Sequence, residues 1–224
     1  MIIAHRGYAK NHPENTIAAF DAAFMAGVDA IETDVREVPD GSVVVSHDPV
    51  QNANGLLSLG QLFDYIKSKQ TSFFLELKTA SPVLLESVIE RISQNNLWER
   101  VYLIGFASRI KTALKAQDKH LKLRVCQIIM IPQLSFLKPP KKSYAVFFGW
   151  LDGIKYSKQL FKILTPKILL HRLKRYYEKQ GFKVMAGVIN DEKGFKLFHD
   201  AGIYDIFTDE VETAKLCRKQ QQQY

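Results

Sequence analysis

Two histidines and three carboxylates stand where hydrophobic, strand-like runs end in the first third of the chain. His5 closes Ile2-Ile3-Ala4-His5-Arg6-Gly7, and Glu32 and Asp34 close Ala30-Ile31-Glu32-Thr33-Asp34-Val35. His47 follows Val43-Val44-Val45-Ser46, and Glu76 with Lys78 ends Phe73-Phe74-Leu75-Glu76-Leu77-Lys78. Glu32 and Asp34 are one residue apart on a strand, so both side chains point to one face. Carboxylates that close repel each other unless a proton or a cation lies between them. With Glu76 they make three oxygen ligands, a set suited to Mg²⁺ or Ca²⁺ rather than to Zn²⁺, which favours His and Cys.

Imidazole titrates near neutrality, so of His5 and His47 one can take a proton while the other gives one to a leaving oxygen. Arg6 and Lys78 can bind the oxygens of a phosphoryl group. Acid, base, divalent cation and two fixed cations together suit a phosphate diester. On the residues alone a second assignment stays open, with the histidines as ligands beside a carboxylate and a transition metal between them.

Charge at four strand ends calls for an architecture that gathers strand ends, and the mouth of a parallel barrel does so. Strand and helix patterns alternate along the chain. Strands are expected at the start, 30–38, 73–78, 101–106, 122–129, within 144–154, 183–189 and 204–208. Helices are expected over 15–27, 58–69, 82–95, 108–118, 166–180, 191–201 and 210–219. In the first helix Ile17, Phe20 and Phe24 share a face, with Asn15 as N-cap and Gly27 as C-cap. Pro39-Asp40-Gly41 is so short a turn that 42–46 must fold back as a hairpin partner of the second strand. Prolines in 132–142 deny that region a long helix. The sum predicts a (β/α)8 TIM barrel over 1–219 with a short hairpin after strand two, no large inserted domain, and a polar tail at 220–224. A doubly wound open sheet lacks support, because no glycine-rich turn follows the first strand.

Composition agrees. The chain has 224 residues, 46% hydrophobic and 24% charged, the balance of an ordinary globular domain able to bury a substantial core. Cys126 and Cys217 are too few for a disulfide framework, which points to a reducing compartment. No charged leader precedes Ile2 and no apolar run approaches a membrane span, so a cytoplasmic location is expected. A net charge of +8 suits an anionic substrate or surface, and no nucleic-acid fingerprint is present. The predicted helix at 166–180 carries Lys167, His171, Arg172, Lys174 and Arg175 beside Ile168, Leu169, Leu173 and Tyr176. That composition fits an outer barrel helix, and also peripheral contact with an anionic membrane.

The order of the motifs resembles one family. His5-Arg6-Gly7, Pro13-Glu14-Asn15-Thr16, Glu32-Thr33-Asp34, Asp40-Gly41, His47-Asp48 and Leu75-Glu76-Leu77-Lys78 are similar to those of the glycerophosphodiester phosphodiesterases. The likeness continues more weakly through Gly202 and Thr208-Asp209. It implies a (β/α)8 barrel, divalent-cation dependence and cleavage of glycerophosphodiesters to glycerol 3-phosphate and an alcohol. It further implies metal binding by Glu32, Asp34 and Glu76 and acid–base roles for His5 and His47. Arg6 and Lys78 would lie near phosphate, with Glu14 and Asn15 as a supporting shell.

The chain departs from that pattern in three places. Only residues 49–72 lie where many members insert a small domain. The Trp-Thr-Val-Asn-like strand reads Gly187-Val188-Ile189-Asn190, which removes an aromatic wall and should leave space at Gly187. Strand four's Ser-Phe becomes Gly105-Phe106. These changes open two further readings: a phospholipase D-like lyase that forms a cyclic phosphate from lysophospholipids, and a non-catalytic barrel that binds phosphate or membrane. The complete set of histidines and carboxylates argues for the enzyme.

Overall fold

The computed structural model describes residues 1–129, 143–150 and 154–221. The elements are β1 (Ile2–Ala4), α1 (Ile17–Met25), β2 (Ala30–Glu37), β3 (Val43–Val45), α2 (Leu59–Ser68), β4 (Ser72–Leu77), α3 (Pro82–Gln94), β5 (Val101–Phe106) and α4 (Ala107–Ala116). They continue as β6 (Arg124–Ile129), β7 (Ala145–Phe148), α5 (Ser157–Leu164), α6 (Lys167–Glu178), β8 (Lys183–Ala186), α7 (Glu192–Asp200), β9 (Asp205–Thr208) and α8 (Val211–Gln221). Neighbouring strands run in the order β1-β9-β8-β7-β6-β5-β4-β2-β3, and β1 also pairs with β2. That pairing closes the sheet. Every barrel pair is parallel, and β3 alone lies antiparallel, along β2 with Val35 opposite Val45. The expected (β/α)8 barrel and its hairpin are both present.

The side-chain phase of each strand decides what reaches the mouth. Ile3, Ala30, Phe74, Tyr102, Cys126, Phe147, Met185 and Phe207 fill the barrel interior, while Ile2, Ile31, Phe73, Leu103 and Ile206 face the helices. Because strand side chains alternate, the residue two places after an interior one also points inward, one layer nearer the C-terminal rim. On β1, β2, β4 and β9 that step reaches His5, Glu32, Glu76 and Asp209, and a second step on β2 reaches Asp34. On β5, β6, β7 and β8 it reaches Ile104 and Phe106, Ile128, Gly149 and Gly187. The rim is therefore polar on one side and apolar on the other.

The helices are capped where the sequence provides an oxygen. Ser58 and Gln61 form a reciprocal capping box on α2, and Ser81 and Asp191 cap α3 and α7. Four local features differ from expectation. Thr16, not Asn15, caps α1, because the Asn15 side chain is engaged with β2. The buried face of α1 is Ala19, Phe20 and Ala23, with Phe24 partly exposed. An unexpected helix, α5, lies between β7 and α6. Helix α8 runs through Gln221, into the stretch read as a tail. The expectation for 132–142 lies outside the described residues. Among the described residues, no helix is long and apolar enough to cross a membrane.

Candidate active site

The chain turns sharply after β1 to aim His5 and Arg6. Arg6 and Gly7 both take positive φ, 54° and 83°. A Cβ on Gly7 would lie 2.8 Å from Ala19, so only glycine lets the turn pass this close to α1. The turn places the Arg6 amide to donate to Glu32 Oε2 at 3.0 Å. His5 Nδ1 lies 2.8 Å from Asp209 Oδ1, and its Nε2 lies 3.9 Å from Glu32 Oε2. Burial opposes charge on His5, but the Asp209 hydrogen bond and the Glu32 and Asp209 charges outweigh it, so its pKa is raised. With Nδ1 bonded to Asp209, Nε2 is the nitrogen left for chemistry.

Glu32, Asp34 and Glu76 meet as the strand phase requires. Asp34 stands opposite Glu76 in the β2–β4 register, and one oxygen from each of the three carboxylates lies within 4.8 Å of the others. Glu32 and Asp34 are buried. Lys78 Nζ bridges Asp34 Oδ1 and Glu76 Oε1, each at 3.0 Å. Arg6 Nε lies 3.2 Å from Asp34 Oδ2, and Arg6 Nη1 donates to both Glu14 oxygens at 3.0 Å. Burial raises the Asp34 pKa, yet Lys78, Arg6 and the Asn15 amide together hold it below the usual range. Glu32 differs. Burial and the Asp34 and Glu76 charges push its carboxyl up to about 8, against the pull of His5. Its Oε1 is buried and has no hydrogen-bond partner among the described residues. An all-oxygen cluster with one orphaned acceptor suits a hard divalent cation, so this triad could hold one.

The β2–β3 hairpin carries His47 to the same rim. Arg36 Nη2 donates to the His47 carbonyl at 2.6 Å, and His47 Nδ1 is 2.8 Å from Asp48 Oδ1. His5, Arg6, Glu14, Glu32, His47, Glu76 and Lys78 all line one cavity of about 720 Å³. Asn15 is not in that wall; it sits behind Asp34, donating to Asp34 Oδ2 at 2.8 Å while its Oδ1 accepts from Thr33 Oγ1 and the Asp34 amide.

Several contributors were not assigned from sequence. Asp209 holds His5, and Asn190 holds Asp209 through a 2.6 Å bond from Nδ2 to Asp209 Oδ2. Arg109 Nη1 reaches Glu76 Oε1 at 3.5 Å. A signal for the Asp209 pair was present: Asn15 precedes Thr33-Asp34, and Asn190 precedes Thr208-Asp209, by the same 18 residues to the threonine.

The far wall is apolar: Ile104, Phe106, Ile128, Ile129, Phe147 and Trp150. The expected space at Gly187 is not there. A Cβ on Gly187 would lie 2.7 Å from Phe147 Cζ and 2.7 Å from Phe207 Cβ. The Phe147 ring, edge-on to Phe207 at 4.5 Å, fills it from the neighbouring strand. An aromatic wall is thus supplied by β7 instead of β8.

A family model for the glycerophosphoryl diester phosphodiesterase family matches residues 5–56. A glycerophosphodiester phosphodiesterase from Caldanaerobacter subterraneus is 27% identical over 250 residues, covering 95% of each chain. A solved glycerophosphodiester phosphodiesterase from Parabacteroides distasonis superposes with a TM-score of 0.76 at 21% identity, covering 98% of this chain and 97% of that one. A phosphodiesterase from Oleispira antarctica, solved with the product sn-glycerol-3-phosphate, superposes at 0.72 and 18% identity, covering 98% and 96%. The likeness to both solved structures is a likeness of fold.

Proposed function

The chain belongs to the glycerophosphodiester phosphodiesterase family, and from that premise we propose that it hydrolyses a glycerophosphodiester to glycerol 3-phosphate and an alcohol by histidine acid–base catalysis. It is a phosphoric diester hydrolase. The observation that carries the reading is the convergence of His5, His47, Glu32 and Glu76 on one cavity, with buried Asp34 clustered beside Glu32 and Glu76.

Glu32, Asp34 and Glu76 would hold a divalent cation, Mg²⁺ or Ca²⁺, which when bound polarises the phosphoryl group and offsets charge on its oxygens. Lys78 and Arg6, already set among these carboxylates, add fixed positive charge on the phosphate side of the cavity. Asp209 keeps the proton of His5 on Nδ1, so that Nε2 gives or takes the proton in play. His47 serves the opposite step from the hairpin. One histidine deprotonates the nucleophile and the other protonates the departing alkoxide.

The alcohol moiety belongs in the apolar half. The face of Trp150 is taken by Lys158 Nζ at 5.5 Å and Lys162 Nζ at 5.6 Å. A quaternary ammonium such as choline would meet like charge there. An alcohol with hydrocarbon content fits this wall better.

The test is release of glycerol 3-phosphate from glycerophosphocholine and glycerophosphoethanolamine, and of lysophosphatidic acid from lysophosphatidylethanolamine, with and without chelator. Chelator-sensitive release supports the reading. A cyclic phosphate as the final product would replace hydrolysis by the lyase chemistry, and no turnover of any diester would contradict both.

A further inference from the structure

Helix α5 has no place in a minimal barrel, since one helix, α6, already connects β7 to β8. It lies at the catalytic end. Phe161, its buried anchor, packs on Trp150 at 5.8 Å and on Phe198 at 5.9 Å, and Trp150 lines the active-site cavity. Lys158 Nζ ties the helix to Asp191, the N-cap of α7, at 2.5 Å.

The other face of α5 is apolar and exposed. Tyr156, Leu160, Ile163 and Leu164 follow the i, i+4, i+7, i+8 spacing of one helical face. Leu160 is 56% exposed and Ile163 75% exposed, and Ile168, at the start of α6, is 70% exposed. Scattered exposed apolar residues need no explanation, but several on one short helix beside a cavity mouth do. The charge along this stretch of chain has one sign. Residues 154–177 contain Lys155, Lys158, Lys162, Lys167, Arg172, Lys174 and Arg175 and no Asp or Glu. Lys158, Lys167 and Lys174 have carboxylate partners in Asp191, Asp200 and Glu178. Lys155 and Lys162 lie on aromatic faces instead, those of Tyr156 and Trp150.

We propose that α5 and its flanks form a docking surface for an anionic lipid bilayer, which seats the mouth of the active site on the membrane. Apolar side chains between lysines are the composition that buries shallowly in a headgroup layer while its cations meet anionic lipid. A protein partner would require the same apolar face, but the excess of seven basic residues over their three carboxylate partners favours an extended negative surface. The proposal concerns binding and does not depend on which diester is cleaved.

The experiment is co-sedimentation of the full chain with vesicles of phosphatidylcholine, alone or containing roughly one third phosphatidylglycerol. Wild type should bind the anionic vesicles about tenfold more than the neutral ones, and about 0.5 M salt should weaken that binding. Leu160→Asp/Ile163→Asp should lose about tenfold in binding to anionic vesicles with an unchanged melting temperature, both positions being exposed. Lys155→Gln/Lys162→Gln should lose the preference for anionic over neutral vesicles. Absence of wild-type binding, equal binding to both vesicles, or undiminished binding by the Leu160/Ile163 variant would each overturn the proposal. Hydrolysis of a soluble diester, read separately, reports on the catalytic reading and not on this one.

Discussion

Asn15 and Asn190 make the same three hydrogen bonds on the two strands that flank β1. Asn15 donates to Asp34 Oδ2 and accepts from Thr33 Oγ1 and the Asp34 amide. Asn190 donates to Asp209 Oδ2 and accepts from Thr208 Oγ1 and the Asp209 amide. Each asparagine locks a Thr-Asp pair at a strand end, so Asp34 and Asp209, on the two strands flanking β1, are held by matching brackets. One belongs to the carboxylate cluster and the other to the histidine.

The two brackets should fail differently. Asn190→Ala frees Asp209, and with it the orientation of His5, so kcat is expected to fall about 10- to 100-fold with little change in KM. Asn15→Ala frees Asp34, so divalent-cation affinity is expected to fall about 10- to 100-fold, measured by calorimetry. Identical losses of both properties in both variants would mean general loosening of the barrel mouth instead of two separate roles.

Gly187 and Phe147 share one volume. Gly187→Ala pushes a methyl against the Phe147 ring and the Phe207 Cβ, and should cost about 1–3 kcal/mol, read as a lower denaturant midpoint. Phe147→Ala opens the space but leaves a cavity. The double variant should therefore be more stable than the sum of the two single losses predicts. Strict additivity in a double-mutant cycle would show that the two positions do not compete.

Acid stability should depend on Asp29 at the opposite end of the barrel. Asp29 Oδ2 accepts from the Ile2 amide at 2.6 Å and from Arg218 Nη1 at 2.7 Å. Partial burial raises its pKa, but the Ile2 and Arg218 hydrogen bonds and the Arg218 charge outweigh burial and lower it. A depressed folded-state pKa contributes stability above the unfolded value of about 3.9, and that stability is lost as pH falls through the folded value. Asp29→Asn should thus melt lower than wild type at pH 7, and the two melting temperatures should converge as acid protonates Asp29 in the folded state. A constant gap at every pH would remove this group from the linkage.

Much of this architecture was legible in the sequence because burial and charge are written with strand phase. Ile3 then His5, Ala30 then Glu32 and Asp34, and Phe74 then Glu76 are alternations that a two-residue period exposes directly. The hairpin followed from a turn too short for anything else. The N-cap of α1 was misplaced because Asn15 and Thr16 are both good caps, and only the fold reveals that β2 claims the Asn15 side chain. Helix α5 went unread because its apolar face is not buried, so its periodicity describes a surface and not a core. The Gly187 expectation failed for a similar reason. A missing side chain on one strand says nothing of what the neighbouring strand sends into the gap, and here Phe147 does so.

In the proposed reaction His5 and His47 move protons at a phosphate held over the Glu32, Asp34 and Glu76 cluster. The most direct measurement is glycerol 3-phosphate release by His5→Ala and His47→Ala, with cation binding measured on the same preparations. Both variants should lose about 10²- to 10⁴-fold in kcat and bind the cation as wild type does. A variant that keeps the wild-type rate would contradict the account, and one that loses the cation along with the rate would make that histidine a ligand.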